Sequence, residues 1–193
     1  PALGERRLRA EVKEGTYYKR ERASYLVDRF LDLGLVPPTV IREIDGEVGS
    51  VQQFIPDTEN FQYRPTNEKT EEQLKIIWVF DMIIFSSDRH GGNLIIDNND
   101  QIYAIDNGLT FGPDYIKAYA EFYSLKLPDT LIEKLSNFLA NDDTQRILKE
   151  LLMELLPENE VEAFFKRLNY IGQLIIDHGV ITRNESEELK KFN

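Results

Sequence analysis

The feature that most constrains this chain is the stretch S-S-D-R-H-G-G-N-L-I-I-D-N-N-D-Q-I-Y-A-I-D-N-G-L-T-F, residues 86–111. Two apolar runs, residues 94–96 and 102–105, flank the turn formers Asp97, Asn98, Asn99 and Asp100. This pattern predicts an antiparallel β-hairpin between two loops. Asn93 enters the first strand and Asp106 leaves the second, so pairing sets an amide oxygen beside a carboxylate at the open end. Asp88 lies on the loop feeding that end. Three hard oxygen groups on one edge suit Mg²⁺ carrying the phosphates of a nucleotide.

Before this stretch, residues 16–33 read as a helix with Tyr18, Ala23, Tyr25, Leu26, Phe30 and Leu33 on one face and Gly34 as its stop. Glu21, taken alone, is a solvated helix charge near the positive end of the dipole. Residues 39–43 and 48–55 read as strands joined across Asp45-Gly46. Pro56 ends the second strand, and the polar residues 58–69 read as a connection between two subdomains. Thr70 with Gln73 predicts a capping box opening a buried helix that delivers the chain to Ser86.

Beyond Phe111 the pattern is helical. Thr130 with Glu133 and Thr182 with Glu185 predict capping boxes, and Asp143 and Pro157-Glu158 mark further starts. Val161, Phe164, Phe165, Leu168, Ile171, Leu174 and Ile175 have core-facing spacing, and His178-Gly179 reads as a C-terminal cap. Residues 1–15 are charged, weakly patterned and carry no chemistry of their own.

The chemistry follows from residue types at this spacing. A hydroxyl attacking a γ-phosphate needs an acceptor, and Asp88 is the candidate. Asn93 and Asp106 would hold the metal. The spacing D-x(4)-N-x(12)-D carries the signal, since each residue alone is an ordinary turn former. Gly91-Gly92 permits a tight bend. His90 could hydrogen-bond the transferred phosphate or brace Asp106, and Arg89 reads as fixing the loop. Asp97-x-Asn99-x-Gln101 is no calcium loop, because Ile102 stands where glycine is needed. Two distant histidines without cysteine exclude a usual zinc centre, and no G-x-S-x-G or Walker A motif occurs.

Charge bounds the partners. The chain has 23 basic and 34 acidic side chains and a net charge of −11, which repels nucleic acid and anionic membrane surfaces. It has no cysteine, and no apolar run or leader-like start marks a membrane span or a signal peptide. The expected location is cytoplasmic.

D-R-H-x-x-N followed by I-D-N-G resembles the catalytic and metal-binding loops of the phosphatidylinositol 3-/4-kinase superfamily, most nearly the type II phosphatidylinositol 4-kinases and their bacterial relatives. A-I-D-N-G-L-T-F is similar to that branch's D-F-G element. E-R-A-S-Y-L-V-D-R-F-L-D-L-G-L-V-P-P-T, from Glu21, looks like the family's αC helix, and G-S-V-Q-Q-F, from Gly49, like the strand entering its hinge. The resemblance covers residues 20–111 well and the C-terminal helices only in kind.

It implies an α+β, protein-kinase-like fold. Residues 1–56 would be the remnant of an N-lobe, and residues 57–193 a mostly helical C-lobe with the catalytic hairpin. It gives Asp88 the catalytic role, His90 a supporting one, and Asn93 and Asp106 the Mg²⁺. Glu21 becomes the partner of the nucleotide-binding lysine, and Gln53, Phe54 and Ile55 offer hinge backbone to the adenine of ATP. The phosphate-covering loop and that lysine are expected before Pro1, so turnover by this polypeptide alone should be slow. The segment between Gly108 and Pro128 sets Lys117 and Lys126 against Asp114 and Glu121, without the positive excess an inositol lipid would favour. The expected acceptor is therefore a hydroxyl of a protein or soluble small molecule. The alternatives are a lipid kinase, an aminoglycoside- or choline-type kinase, and a silent pseudokinase, which has no physical need of Asp88, Asn93 and Asp106 together.

Overall fold

A computed structural model of the chain describes residues 15–61, 65–112 and 122–192. The fold is built around α2 (Glu68–Ile84), in which Leu74, Ile77, Trp78, Val79, Phe80, Met82, Ile83 and Ile84 are fully buried. A helix apolar on nearly every side must be enclosed, and α2 is the central post of the core. Asn67 caps it by accepting from the Thr70 amide at 2.9 Å, while the Thr70 hydroxyl accepts from the Asn67 amide at 3.1 Å. The capping box thus lies three residues earlier than Thr70–Gln73 predicted. Gln73 is used otherwise: its amide group donates to Asp100 O at 2.7 Å and accepts from the Ile102 amide at 2.8 Å. It therefore fastens the hairpin turn to α2.

Helix α1 (Tyr17–Phe30) ends well before Leu33. The stop is built by Asp28, whose carboxylate accepts from the Leu35 amide at 2.8 Å and whose carbonyl accepts from the Leu33 amide at 3.1 Å. Asp32 and Gly34 take the positive-φ positions of the bend. Strands β1 (Thr39–Ile44) and β2 (Glu47–Gln52) pair antiparallel across Asp45-Gly46, both at positive φ as a tight hairpin turn needs. β2 stops at Gln52, so Gln53, Phe54 and Ile55 follow the strand instead of ending it.

The polar connection contains a short strand, β3 (Thr58–Asn60), which pairs antiparallel with β4 (Leu94–Asp97). Three residues are too few to show a periodic signal, and an edge strand here needs only its backbone. β4 in turn pairs antiparallel with β5 (Ile102–Ala104), as the sequence predicts, in a register that sets Leu94 opposite Ala104 and Ile96 opposite Ile102.

The C-terminal half is helical: α3 (Asp129–Leu139), α4 (Asp142–Met153), α5 (Glu158–His178) and α6 (Arg183–Glu188). The box at Thr182 and Glu185 forms. The one at Thr130 does not, because α3 starts two residues earlier, with Pro128 in the cap position and no side-chain cap. Asn141 rather than Asp143 marks the α4 start, its side chain accepting from the Thr144 amide at 2.9 Å. Gly179 ends α5 at φ 67, its amide bonded to Ile175 O at 2.8 Å. Val161, Phe164, Leu168, Ile171 and Ile175 of α5 are buried, and α5 packs on α2, α3 and α4. The fold class is α+β. No described helix is long and apolar enough to cross a membrane.

Candidate functional site

The site begins where α2 stops. Phe85 takes a left-handed conformation at φ 57 and turns the chain. Ser87 is then tied to the loop after β5, its amide and its hydroxyl each donating to Leu109 O at 3.0 Å. This leads to Asp88, half-buried, and Arg89, buried.

Arg89 is the hub. Its guanidinium holds the fully enclosed Asp81 carboxylate from Nε and Nη2 at 3.0–3.2 Å. Nη1 donates to Asn93 O at 3.1 Å and Ile105 O at 2.8 Å, and Nη2 to Asn107 Oδ1 at 2.5 Å. One side chain therefore binds α2 and both sides of the hairpin's open end. Burial pushes the Asp81 carboxyl upward while Arg89 pulls it back, the balance expected of an enclosed ion pair with its hydrogen bonds filled. Arg89 fixes the loop.

Asn93 and the Ile105–Asp106 turn meet at that open end. Asn93 is buried; its Nδ2 donates to Asp88 O at 2.9 Å, and its carbonyl accepts from the Ile105 amide at 3.0 Å. The side-chain nitrogen is thereby committed to the loop at Asp88, and Oδ1 is the end suited to a cation. Asp106, next along from Ile105, is exposed and stands at φ 54. A non-glycine residue in that region is held there by its surroundings. Among the described residues no group of three or more His, Asp or Glu forms a ready-made metal cage. An amide oxygen and a carboxylate at such a mouth could hold Mg²⁺, which takes few protein ligands and shares the rest with phosphate and water.

The surroundings that hold Asp106 come mainly from α1. The Glu21 carboxylate accepts from the Asn107 and Gly108 amides, and burial raises its pKa to about 7, with the Asp106 charge adding to the rise. Glu21 is thus no solvated helix charge; it faces the loop at Asn107 and Gly108. Gly108 passes so near α1 that a Cβ there would stand 3.1 Å from Tyr17 Cβ and 3.4 Å from Glu21 Oε1. Thr110 Oγ1 donates to Asn107 O at 2.8 Å and lies 3.2 Å from Ser24 Oγ, while Arg20 donates to Thr110 O. The Phe111 amide closes the loop on Ile84 O at 2.6 Å.

His90 is exposed and caps the 3₁₀ turn Gly91–Asn93, its Nδ1 accepting from the Gly92 amide at 3.0 Å. With Nδ1 as acceptor, the ring proton of the neutral imidazole belongs on Nε2. Gln53, Phe54 and Ile55 lie after β2, with Phe54 83% exposed and the Gln53 amide engaged by Pro38 O at 2.8 Å. Asp114, Lys117 and Glu121 fall outside the described residues. Sequence reading missed Arg20, Ser24, Asp81 and Thr110; each is an ordinary polar residue whose partner is distant in the chain.

The fold defines an α+β chain in which the loop at Asp88, Asn93 and the Ile105–Asp106 turn are joined at a hairpin mouth. No family model matches the chain. At the level of single proteins it is similar to phosphatidylinositol 4-kinase gamma 5 of Arabidopsis thaliana, 26% identical over 79% of this chain and 29% of that relative. It is 27% identical to phosphatidylinositol 4-kinase gamma 7 of the same plant, over 79% of this chain and 28% of the relative. The protein Rv2133c of Mycobacterium tuberculosis is 27% identical over 56% of this chain and 51% of its own length. The chain spans less than a third of the two plant relatives. At these identities the relationship is a distant likeness to proteins named as phosphatidylinositol 4-kinases gamma.

Proposed function

We propose that the protein is an ATP- and Mg²⁺-dependent phosphotransferase of a protein-kinase-like, phosphatidylinositol 3-/4-kinase-like fold, with a hydroxyl group as acceptor. The observation that carries this reading is the hydrogen-bonded joining of Asp88, Asn93 and the Ile105–Asp106 turn at one hairpin mouth. Asn93 and Asp106 would hold the metal, which when bound offsets the charge of the nucleotide's phosphates. Asp88 orients the acceptor hydroxyl and takes its proton late. His90, with its proton on Nε2, supplies a hydrogen bond to a phosphate oxygen. Gln53, Phe54 and Ile55 offer backbone to adenine, chiefly through the last two, because the Gln53 amide is already bonded.

The acceptor we favour is a protein or a soluble small molecule, since a chain of net charge −11 gains nothing from an anionic lipid surface. The names of the plant relatives favour an inositol lipid as the second reading. Incubation with γ-labelled ATP and Mg²⁺, with protein fractions, small polyols or inositol-lipid vesicles in separate arms, distinguishes the acceptors. Asp106→Asn should abolish Mg²⁺-dependent nucleotide binding. Asp88→Asn should keep that binding and lose transfer. Unaltered metal-dependent binding in Asp106→Asn would overturn the assignment of the metal side.

A further inference from the structure

One face of α5 reaches both loops of the site. Glu160, Phe164 and Arg167 are spaced as neighbours along that face. Glu160 Oε1 lies 2.8 Å from Arg20 Nη2, and the same guanidinium donates through Nη1 to Thr110 O. Phe164 packs on Phe111, with ring centroids 5.7 Å apart at 61°. Arg167, fully buried, stands over the Phe85 ring at 4.6 Å and donates to Ile83 O at 3.2 Å. The first two contacts support the end of the loop carrying Asp106. The third supports the turn leading to Asp88.

We propose that Arg20 is a positioning residue for Asp106: its guanidinium couples the Thr110 carbonyl to Glu160, so that α5 sets where the metal-side loop stands against the catalytic loop. Arg20 is almost wholly enclosed, at 3% exposure, and spans α1, α5 and the loop at once. A planar fork can hold two acceptors in fixed directions, which a lysine ammonium on a flexible stem does less well. Ser24, one turn further along α1, meets the Thr110 hydroxyl at 3.2 Å and reinforces the same point. The Mg²⁺ readout of this inference rests on the phosphotransfer reading; the backbone readout does not.

The test compares Arg20→Lys and Glu160→Gln with the wild-type chain by amide hydrogen exchange and by Mg²⁺ titration of a fluorescent ATP analogue. Positioning predicts that the amides of Asn107, Gly108 and Phe111 exchange roughly tenfold faster while those of α2 keep their protection. It also predicts that the Mg²⁺ concentration for half-saturation rises roughly tenfold, with metal-free affinity for the analogue unchanged. Glu160→Gln keeps an acceptor oxygen, so it carries the test if Arg20→Lys does not fold. Protection falling evenly over α1, α2 and α5, with the loop unaffected relative to them, would mean that Arg20 serves general cohesion and would overturn the proposal. If the wild-type chain shows no Mg²⁺-dependent binding, the phosphotransfer reading fails, and loop exchange alone decides the role of Arg20.

Discussion

At the scale of single residues, the site depends on groups that satisfy several partners each. Arg89 donates to Asp81, Asn93, Ile105 and Asn107, and removing it leaves the Asp81 carboxylate enclosed without a counter-charge. Breaking such a pair costs about 3–5 kcal/mol, so Arg89→Leu should lower the denaturant midpoint steeply or prevent folding. A midpoint within experimental error of wild type would contradict the hub. Gly108 makes a subtler case. A methyl group there meets Tyr17 Cβ at 3.1 Å, an atom fixed to the α1 backbone that cannot step aside without moving the helix. Gly108→Ala should cost about 1–3 kcal/mol and raise the Mg²⁺ requirement of nucleotide binding. The joining of the Asp88 backbone, Asn93 and the Ile105–Asp106 turn at one end of the hairpin was legible, because residues at fixed spacing around a hairpin are a local pattern. Arg20, Ser24 and Thr110 were not, since their partners lie far along the chain and no local period announces them.

At the scale of elements, strength of pattern decided what could be read. The β4–β5 hairpin was legible to within a residue because two apolar runs flank a four-residue polar turn. The end of α1 was not: Gly34 does take positive φ, but the Asp28 side chain ends the helix earlier by capturing the Leu35 amide. That capture has a pH signature. Asp28 is 1% exposed, and burial raises its carboxyl from 3.8 to about 6. The folded chain therefore binds this proton more tightly than the unfolded chain. Its contribution to stability is fully present below the unfolded value of 3.8 and is lost as pH rises through about 6. The shift corresponds to about 3 kcal/mol. Asp28→Asn keeps an acceptor for Leu35 but cannot ionise. Its stability relative to wild type should rise by about that amount across the window, followed by urea unfolding at stepped pH. A constant difference between the two would show that Asp28 does not titrate in the fold.

At the scale of the whole molecule, cohesion is uneven. α2 packs on α5, β5 and α1, whereas the β1–β2 hairpin packs chiefly on α1 and turns Val40, Ile44 and Val51 outward. A two-stranded ribbon covered on one face has little stability of its own. Just beyond residue 57 the polar connection forms β3, which joins the hairpin of the site; composition marked a change of element there and could not show where the strand paired. The amides of β1 and β2 should exchange through a local opening of low free energy, while those of residues 77–84 in α2 wait for global unfolding. Because Gln53, Phe54 and Ile55 follow directly from β2, an ATP analogue with Mg²⁺ bound at that backbone should slow exchange in β1 and β2 beyond the stabilisation it gives α2. Measuring exchange with and without the analogue, at several denaturant concentrations, separates the two. If the hairpin and α2 share one opening free energy, the hierarchy is wrong. If the analogue protects the loop at Asn107 and Gly108 but leaves β1 and β2 unchanged, nucleotide engages the metal side without the proposed hinge.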